Sequence, residues 1–265
     1  MVEVSVVVPA RNAAGTIGKC ITSLLRQESK NPYEILVVDN GSTDSTAAIA
    51  KSFGKKISVI SEKEMGSYKA RNKGISKARG KIIAFTDSDC IANQNWLANI
   101  IKSLKEPGIL VVGGRIQAYK PRGLIQEYCA RFEHDQETYI YSVHPFCATA
   151  NMAARKKELK KIGYFDQKLL SGGDYDLCKR LLTNPKQIAY APDATVHHIY
   201  KNSIGNLVHK HYTYGKGCKA LILNKKTHPR LVLPTYWQLL LHEKPMYLLL
   251  RLVQDTSYKL GLLLG

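Results

Sequence analysis

The chain has 265 residues, and its 39 lysines and arginines against 21 aspartates and glutamates give a formal charge of +18. Apolar residues at 45% and charged ones at 23% are ordinary globular proportions, which excludes a disordered or collagen-like chain. The length suits one α/β domain with an appendage, and the positive excess points to anionic partners: phosphates, nucleic acid or acidic lipid. In chain order, β-branched runs predict strands at 4–9 (VSVVVP), 34–39 (EILVVD), 57–60 (ISVI), 81–87 (KIIAFTD) and 108–114 (GILVVGG). Helices are expected between them, over Thr16–Arg26, Ser45–Phe53, Tyr68–Ala78 and Gln94–Leu104. Asp44 stands where it can cap the second, and Pro107-Gly108 ends the fourth. Such alternation predicts an α/β fold, a mostly parallel Rossmann-like sheet with helices on both faces.

Six cysteines at 20, 90, 129, 147, 178 and 218 form no CxxC pair, so reduced thiols in a cytoplasmic setting are expected rather than a zinc cluster. The opening MVEVSVVVPARN carries an acid at position 3 and no basic leader region, unlike a secretion signal. The apolar run LVLPTYWQLLL is half a membrane span and holds a proline, so no transmembrane helix is expected.

In open α/β sheets ligands bind beyond the carboxyl ends of the strands. Three of those ends are polar here: Pro9-Ala10-Arg11-Asn12, Asp39-Asn40-Gly41-Ser42 and Asp87-Ser88-Asp89, with Arg71-Asn72 on the approach to the last. Acids gathered on one rim repel one another unless cations or ligand hydrogen bonds offset them. Asp87 and Asp89, two apart on an extended segment, point the same way and are the hard oxygen ligands that Mg²⁺ or Mn²⁺ takes beside substrate phosphates. A solvated turn is the plainer alternative, disfavoured by the buried-type strand that precedes it. Asp39, last in its strand, is free to accept a hydrogen bond from a base N–H.

VVVPARN, ILVVDNGSTDST, the G-x(4)-R-N pattern in MGSYKARNKGI, and IAFTDSDC, in that order, resemble the family 2 glycosyltransferases of the GT-A fold. CATANMAARKKELKKIGYFD and LLSGGDYDLCKRL are similar to the same family's acceptor-side segments, so the resemblance covers about residues 4–220. It implies an inverting transferase that takes a sugar from a nucleoside diphosphate, with UDP-sugar first and guanosine or thymidine nucleotides as alternatives. By motif position, Asp39 would contact the base, and Pro9, Arg11 and Asn12 would line its pocket. Arg71 would sit near the nucleotide, Asp87 and Ser88 near the ribose or sugar, and Asp89 on the metal. Family members commonly carry Glu-Asp where this chain has Gly173-Asp174; Asp174 is the expected general base, with Asp176 in a supporting or structural role. The missing Glu leaves open how the base is oriented, and keeps alive an inactive sugar-nucleotide binder.

Six of the eight histidines lie late, at 197, 198, 209, 211, 228 and 242. The family's V-x-H context selects His198 over His197 as a further metal ligand, while His209 and His211 fit a helix face. No acid occurs between Asp193 and Glu243, and MYLLLRLVQDTSYKLGLLL puts Arg251, Asp255 and Lys259 on one stripe of an otherwise apolar helix. The expected division is a GT-A domain over 1–220 and a helical segment over 221–265. That segment is either a peripheral contact with the cytoplasmic face of a membrane or a core-facing or dimer helix. A glycan or polyprenyl-linked saccharide is the expected acceptor. A nucleic-acid partner is not expected, because the rim is acidic and no nucleic-acid motif occurs. A dinucleotide-binding dehydrogenase is excluded by the lack of a glycine-rich turn after the first strand.

Overall fold

The structure, a computed structural model, describes residues 2–223 and 245–264. The expected strands form β1 (Val4–Ala10), β2 (Tyr33–Asp39), β3 (Ser58–Ser61) and β4 (Ile82–Thr86), and the fifth begins later than expected, as β6 (Val111–Ala118). Three further strands are β5 (Cys90–Ala92), β7 (Asn151–Arg155) and β8 (Ile188–His198). All eight join one sheet in the order β3-β2-β1-β4-β7-β6-β8-β5. The β3-β2-β1-β4 half is parallel, β6 also runs parallel to β8, and β7 is antiparallel to both β4 and β6.

Side chains of the parallel half alternate between faces, as the two-residue strand period requires. Val4, Val6, Val8, Ile35 and Val37 pack against α1 (Ile17–Leu25) and α4 (Trp96–Leu104) through Ile17, Ile21, Trp96 and Ile100. Val7, Leu36, Val38, Ile83 and Phe85 face the opposite way, toward α3 (Ser67–Lys77) and α8 (Gly173–Leu181). Each buried aliphatic contributes about 1.5–3 kcal/mol, so the motif-bearing strand ends stand on a rigid base. The short α2 (Thr46–Lys51) follows β2. Asp44 serves it one residue ahead of the N-cap position, accepting from Thr46 N and, through its other oxygen, from Ala14 N.

In β8, Pro192 cannot donate to the ladder, and the register against β6 jumps between Gly114 and Ile116 before resuming at Val196. The resumed end pairs His198 with Cys90 and carries the histidine to the rim beside Asp89.

After β6 come α5 (Leu124–Phe132), α6 (Gln136–Ile140) and, following β7, α7 (Lys156–Lys161). The chain ends in α9 (Ile204–Leu223) and α10 (Pro245–Leu264), which cross closely. A Cβ on Gly215 would lie 2.0 Å from the Tyr258 carbonyl oxygen, and one on Gly261 1.9 Å from that of Tyr212, so only glycine permits this approach. Tyr128, Tyr200, Leu207, Tyr247 and Leu250 knit α5, α9 and α10 into a third core cluster.

The helix α10 is amphipathic in the reverse of the usual sense. Arg251, Gln254 and Ser257 are buried, with Gln254 accepting from the Tyr128 hydroxyl and Arg251 3.0 Å from Asp255. Met246, Leu249, Leu252, Leu260 and Leu263 are exposed. No helix among the described residues is long and apolar enough to cross a membrane. The run at 231–241, with His228 and His242, lies outside the described residues.

Candidate active site

The carboxyl ends of β1 and β4, the start of α3, the loop before β7 and the start of α8 surround a cleft of about 580 Å³. Pro9, Arg11, Arg71, Asp87, Ser88, Asp89 and Asp174 all line it, so most of the expected site residues converge. Asn12 and Asp39 stand at the same rim but outside that lining. Asn12, at φ 48°, ties two rim loops together: its N–H donates to Ser42 Oγ and its Oδ1 accepts from Thr43 N. Asp39 ends β2 opposite Ala10, and its buried Oδ1 has no hydrogen-bond partner among the described residues. Its neighbour Asn40 lines the cleft and pins the loop before α3, donating to the Glu62 and Glu64 carbonyls and accepting from Gly66 N.

Arg71 is 5% exposed and donates to Asp87 Oδ1 at 2.6 Å. Burial pushes the Asp87 carboxyl up, against the pull of Arg71, and the charge of Asp89 adds to the rise. The guanidinium also lies 5.8 Å from the Tyr68 ring, and its Nε has no hydrogen-bond partner among the described residues.

Asp89 Oδ1 is 3.5 Å from His198 Nε2, and Asp89, Cys90 and His198 offer ligand atoms within 4.8 Å of one another. Burial raises the Cys90 thiol well above its ordinary range, so the carboxylate and the imidazole are the effective donors. Asp89 and His198 would be the residues to hold a divalent ion, and a carboxylate with an imidazole suits Mn²⁺ better than Mg²⁺, which holds to oxygen ligands. His197 points to the other face of β8 and meets Asn93 Oδ1 at 3.0 Å, as strand alternation requires.

Asp174 sits in the first turn of α8. Its Oδ1 accepts from the Tyr68 hydroxyl at 3.0 Å, and its Oδ2 from Thr149 N at 3.0 Å and Thr149 Oγ1 at 3.3 Å. A carboxylate has about four lone-pair sites; three donors fix this one and leave one free toward the cleft. Burial and the charge of Asp174 raise the Tyr68 phenol well above its ordinary range, so it stays a donor at neutral pH. Asp176 turns away into the core, where it holds Arg180 at 2.8 Å. Tyr68 and Thr149 escape sequence reasoning, because nothing local marks a hydroxyl or a backbone N–H that meets a residue 106 or 25 positions away.

His134, also unmarked in the sequence, lines the cleft with its ring 4.8 Å from that of His198, and burial together with Lys210 and His198 keeps it neutral. Next to it Glu133 pairs with Lys210 and lies 3.1 Å from His211 Nε2. His211 thus lies on the buried face of α9 as a partner of Glu133. Burial alone would raise the Glu133 carboxyl, but Lys210 and His211 overcome it and hold it far below the carboxylate range. Because the unfolded chain takes up that proton first, near pH 4.3, the stabilisation is whole above that value and is lost as pH falls through the lower folded-state pKa. Glu133→Gln is expected to cost about 3 kcal/mol at pH 7, and thermal melts should show the gap to wild type closing below about pH 4.

A nucleotide-binding α/β sheet with paired aspartates at a strand end and a third, oriented carboxylate across the cleft defines the GT-A class of glycosyltransferase. The sequence profile of glycosyl transferase family 2 matches residues 5–163, and the chain belongs to that family. Among its relatives is glycosyltransferase AglE of Haloferax volcanii, 34% identical over 220 residues, which cover 81% of this chain and 72% of AglE. Against other curated relatives, at 24% identity, the chain spans about half of their length. The fold is similar to that of the mannosyltransferase PcManGT from Pyrobaculum calidifontis, solved with GDP-Man and Mn²⁺, at TM-score 0.67 and 18% identity over 98% of this chain and 72% of that one. It is also similar to glucosyl-3-phosphoglycerate synthase from Mycobacterium tuberculosis, solved with Mn²⁺, UDP-glucose and glycerol 3-phosphate, at TM-score 0.61 and 20% identity over 88% of this chain and 81% of that one. The protein is a glycosyltransferase.

Proposed function

We propose that the enzyme transfers a sugar, with inversion, from a UDP-sugar to the hydroxyl of a saccharide acceptor. The observation that carries this reading is the convergence of Asp87, Asp89, Arg71 and Asp174 on one cleft. The partnerless Oδ1 of Asp39 suits the N3–H of uracil, with Pro9 and Arg11 beside the nucleoside. Asp89 and His198 would hold a divalent cation. Such an ion supplies charge neutralisation for the departing diphosphate.

Asp174 accepts the acceptor's hydroxyl proton as that oxygen bonds to the anomeric carbon, while the carbon–oxygen bond to the diphosphate breaks on the opposite face. Arg71, desolvated and fixed by Asp87, meets negative charge growing on the leaving group. Tyr139, Phe146, Tyr175 and Tyr258 also line the cleft, and aromatic side chains suit a sugar ring in the acceptor. A panel of UDP-, GDP- and dTDP-sugars, scored for nucleoside diphosphate release with Mn²⁺, tests the donor. Release from UDP-sugars is expected, and release from GDP- or dTDP-sugars alone would overturn the uridine assignment.

The exposed apolar face of α10 and the lysines of the two terminal helices, Lys216, Lys219 and Lys259, fit an anionic bilayer surface, where an acceptor carried on a lipid would be within reach. Leu249→Glu with Leu252→Glu should abolish flotation with vesicles containing acidic lipid while leaving the thermal melt within about 2 °C. Unchanged flotation of that variant would remove the membrane contact.

A further inference from the structure

The hydroxyl of Tyr68 does two things at once: it accepts from Gly173 N at 2.8 Å and donates to Asp174 Oδ1 at 3.0 Å. Its ring is 6% exposed and stacks on Phe165 at 5.4 Å, with Phe165 in turn edge-on to Phe85 of β4 at 5.6 Å. The phenol therefore cannot swing away without unpacking the sheet face beneath it. A Cβ at position 173 would lie 2.5–2.8 Å from three ring atoms, so Gly173 leaves room for the ring and for nothing else. The same ring carries the Arg71 guanidinium over it, and Arg71 grips Asp87. One side chain thus joins the leaving-group side of the cleft to the proton-accepting side.

We infer that Tyr68 is the positioning residue for Asp174, occupying the space that a side chain at 173 would otherwise fill and aiming the carboxylate at the acceptor hydroxyl. This rests on Asp174 being the base. It also accounts for glycine at 173, where family members commonly carry a glutamate: the orienting group comes from α3 instead of from the residue next to the base.

Tyr68→Phe keeps the ring and its packing and removes only the hydroxyl. It is expected to lower kcat on the order of 10- to 100-fold, with the donor KM and nucleotide affinity close to wild type and a melting temperature lower by only a few degrees, because Gly173 N loses its buried acceptor. In an Asp174→Asn background the same change should alter the residual rate by less than about twofold, because residues that act as a unit do not add. A purely structural tyrosine would lower the rate equally in both backgrounds. Wild-type kcat in Tyr68→Phe, or an equal loss in both backgrounds, overturns the inference. If Asp174→Asn itself turns over like wild type, it is the assignment of the base that falls, and Tyr68 falls with it.

Discussion

Asp174→Asn is expected to lower turnover by about a thousandfold while nucleotide binding stays within a factor of about two. The asparagine oxygen can still accept from Tyr68 or Thr149, so the three-donor cradle largely survives and the side chain keeps its place. What is lost is the ability to take a proton, which general base catalysis by a carboxylate requires. Nothing on the nucleotide side changes, because Arg71, Asp87 and Asp89 stand across the cleft. Steady-state rates together with a nucleotide titration separate the two effects. Turnover within tenfold of wild type would mean that another group accepts the proton.

Arg71→Met should weaken both the fold and the reaction. Removing one member of a buried ion pair typically costs about 3–5 kcal/mol, because its partner is left with an uncompensated charge. The Asp87 side chain is 29% exposed toward the cleft, which sets the expectation at the lower end, about 3 kcal/mol. That corresponds to a melting temperature lower by roughly 6–12 °C for a chain of this size. Turnover should fall by about a hundredfold more than nucleotide binding does, since a cation aimed at the leaving group contributes most in the transition state. Arg71→Lys keeps the charge but not the planar fork, so it should recover stability only in part. An Arg71→Met enzyme that melts and turns over like wild type would leave the pair with no role.

The parallel half of the sheet was legible because its strands are buried on both faces and read as unbroken valine and isoleucine runs. The same logic placed Asp87 and Asp89 at a strand end, since a carboxylate after KIIAFT has nowhere to go but the rim. The rest of the sheet, β6 apart, carried no such signal. In β7 the run NMAAR is short, small-chained and ends in a cation, and β8 is interrupted by Pro192-Asp193, which reads as a turn and is a break in register. That break decides which histidine reaches Asp89, so the V-x-H pattern could select His198 but no local pattern could explain why. Asn12, expected in the pocket, also ties two rim loops, a role of its short polar side chain at φ 48° that no local pattern marks. The orientation of α10 was equally hidden. Its Arg251–Asp255–Lys259 stripe left open whether the helix met a membrane, the core or a partner; Arg251 and Gln254 are buried while Leu249, Leu252, Leu260 and Leu263 face out.

Gripping a divalent ion, and through it a pyrophosphate, is the task assigned to the acids on this cationic molecule's rim. Calorimetric titration of UDP into the full chain, with Mn²⁺ and then with excess chelator, tests that most directly. Binding should tighten at least about tenfold with Mn²⁺, and Asp89→Asn should erase the difference. Equal affinity with and without the ion in the wild-type protein would contradict it.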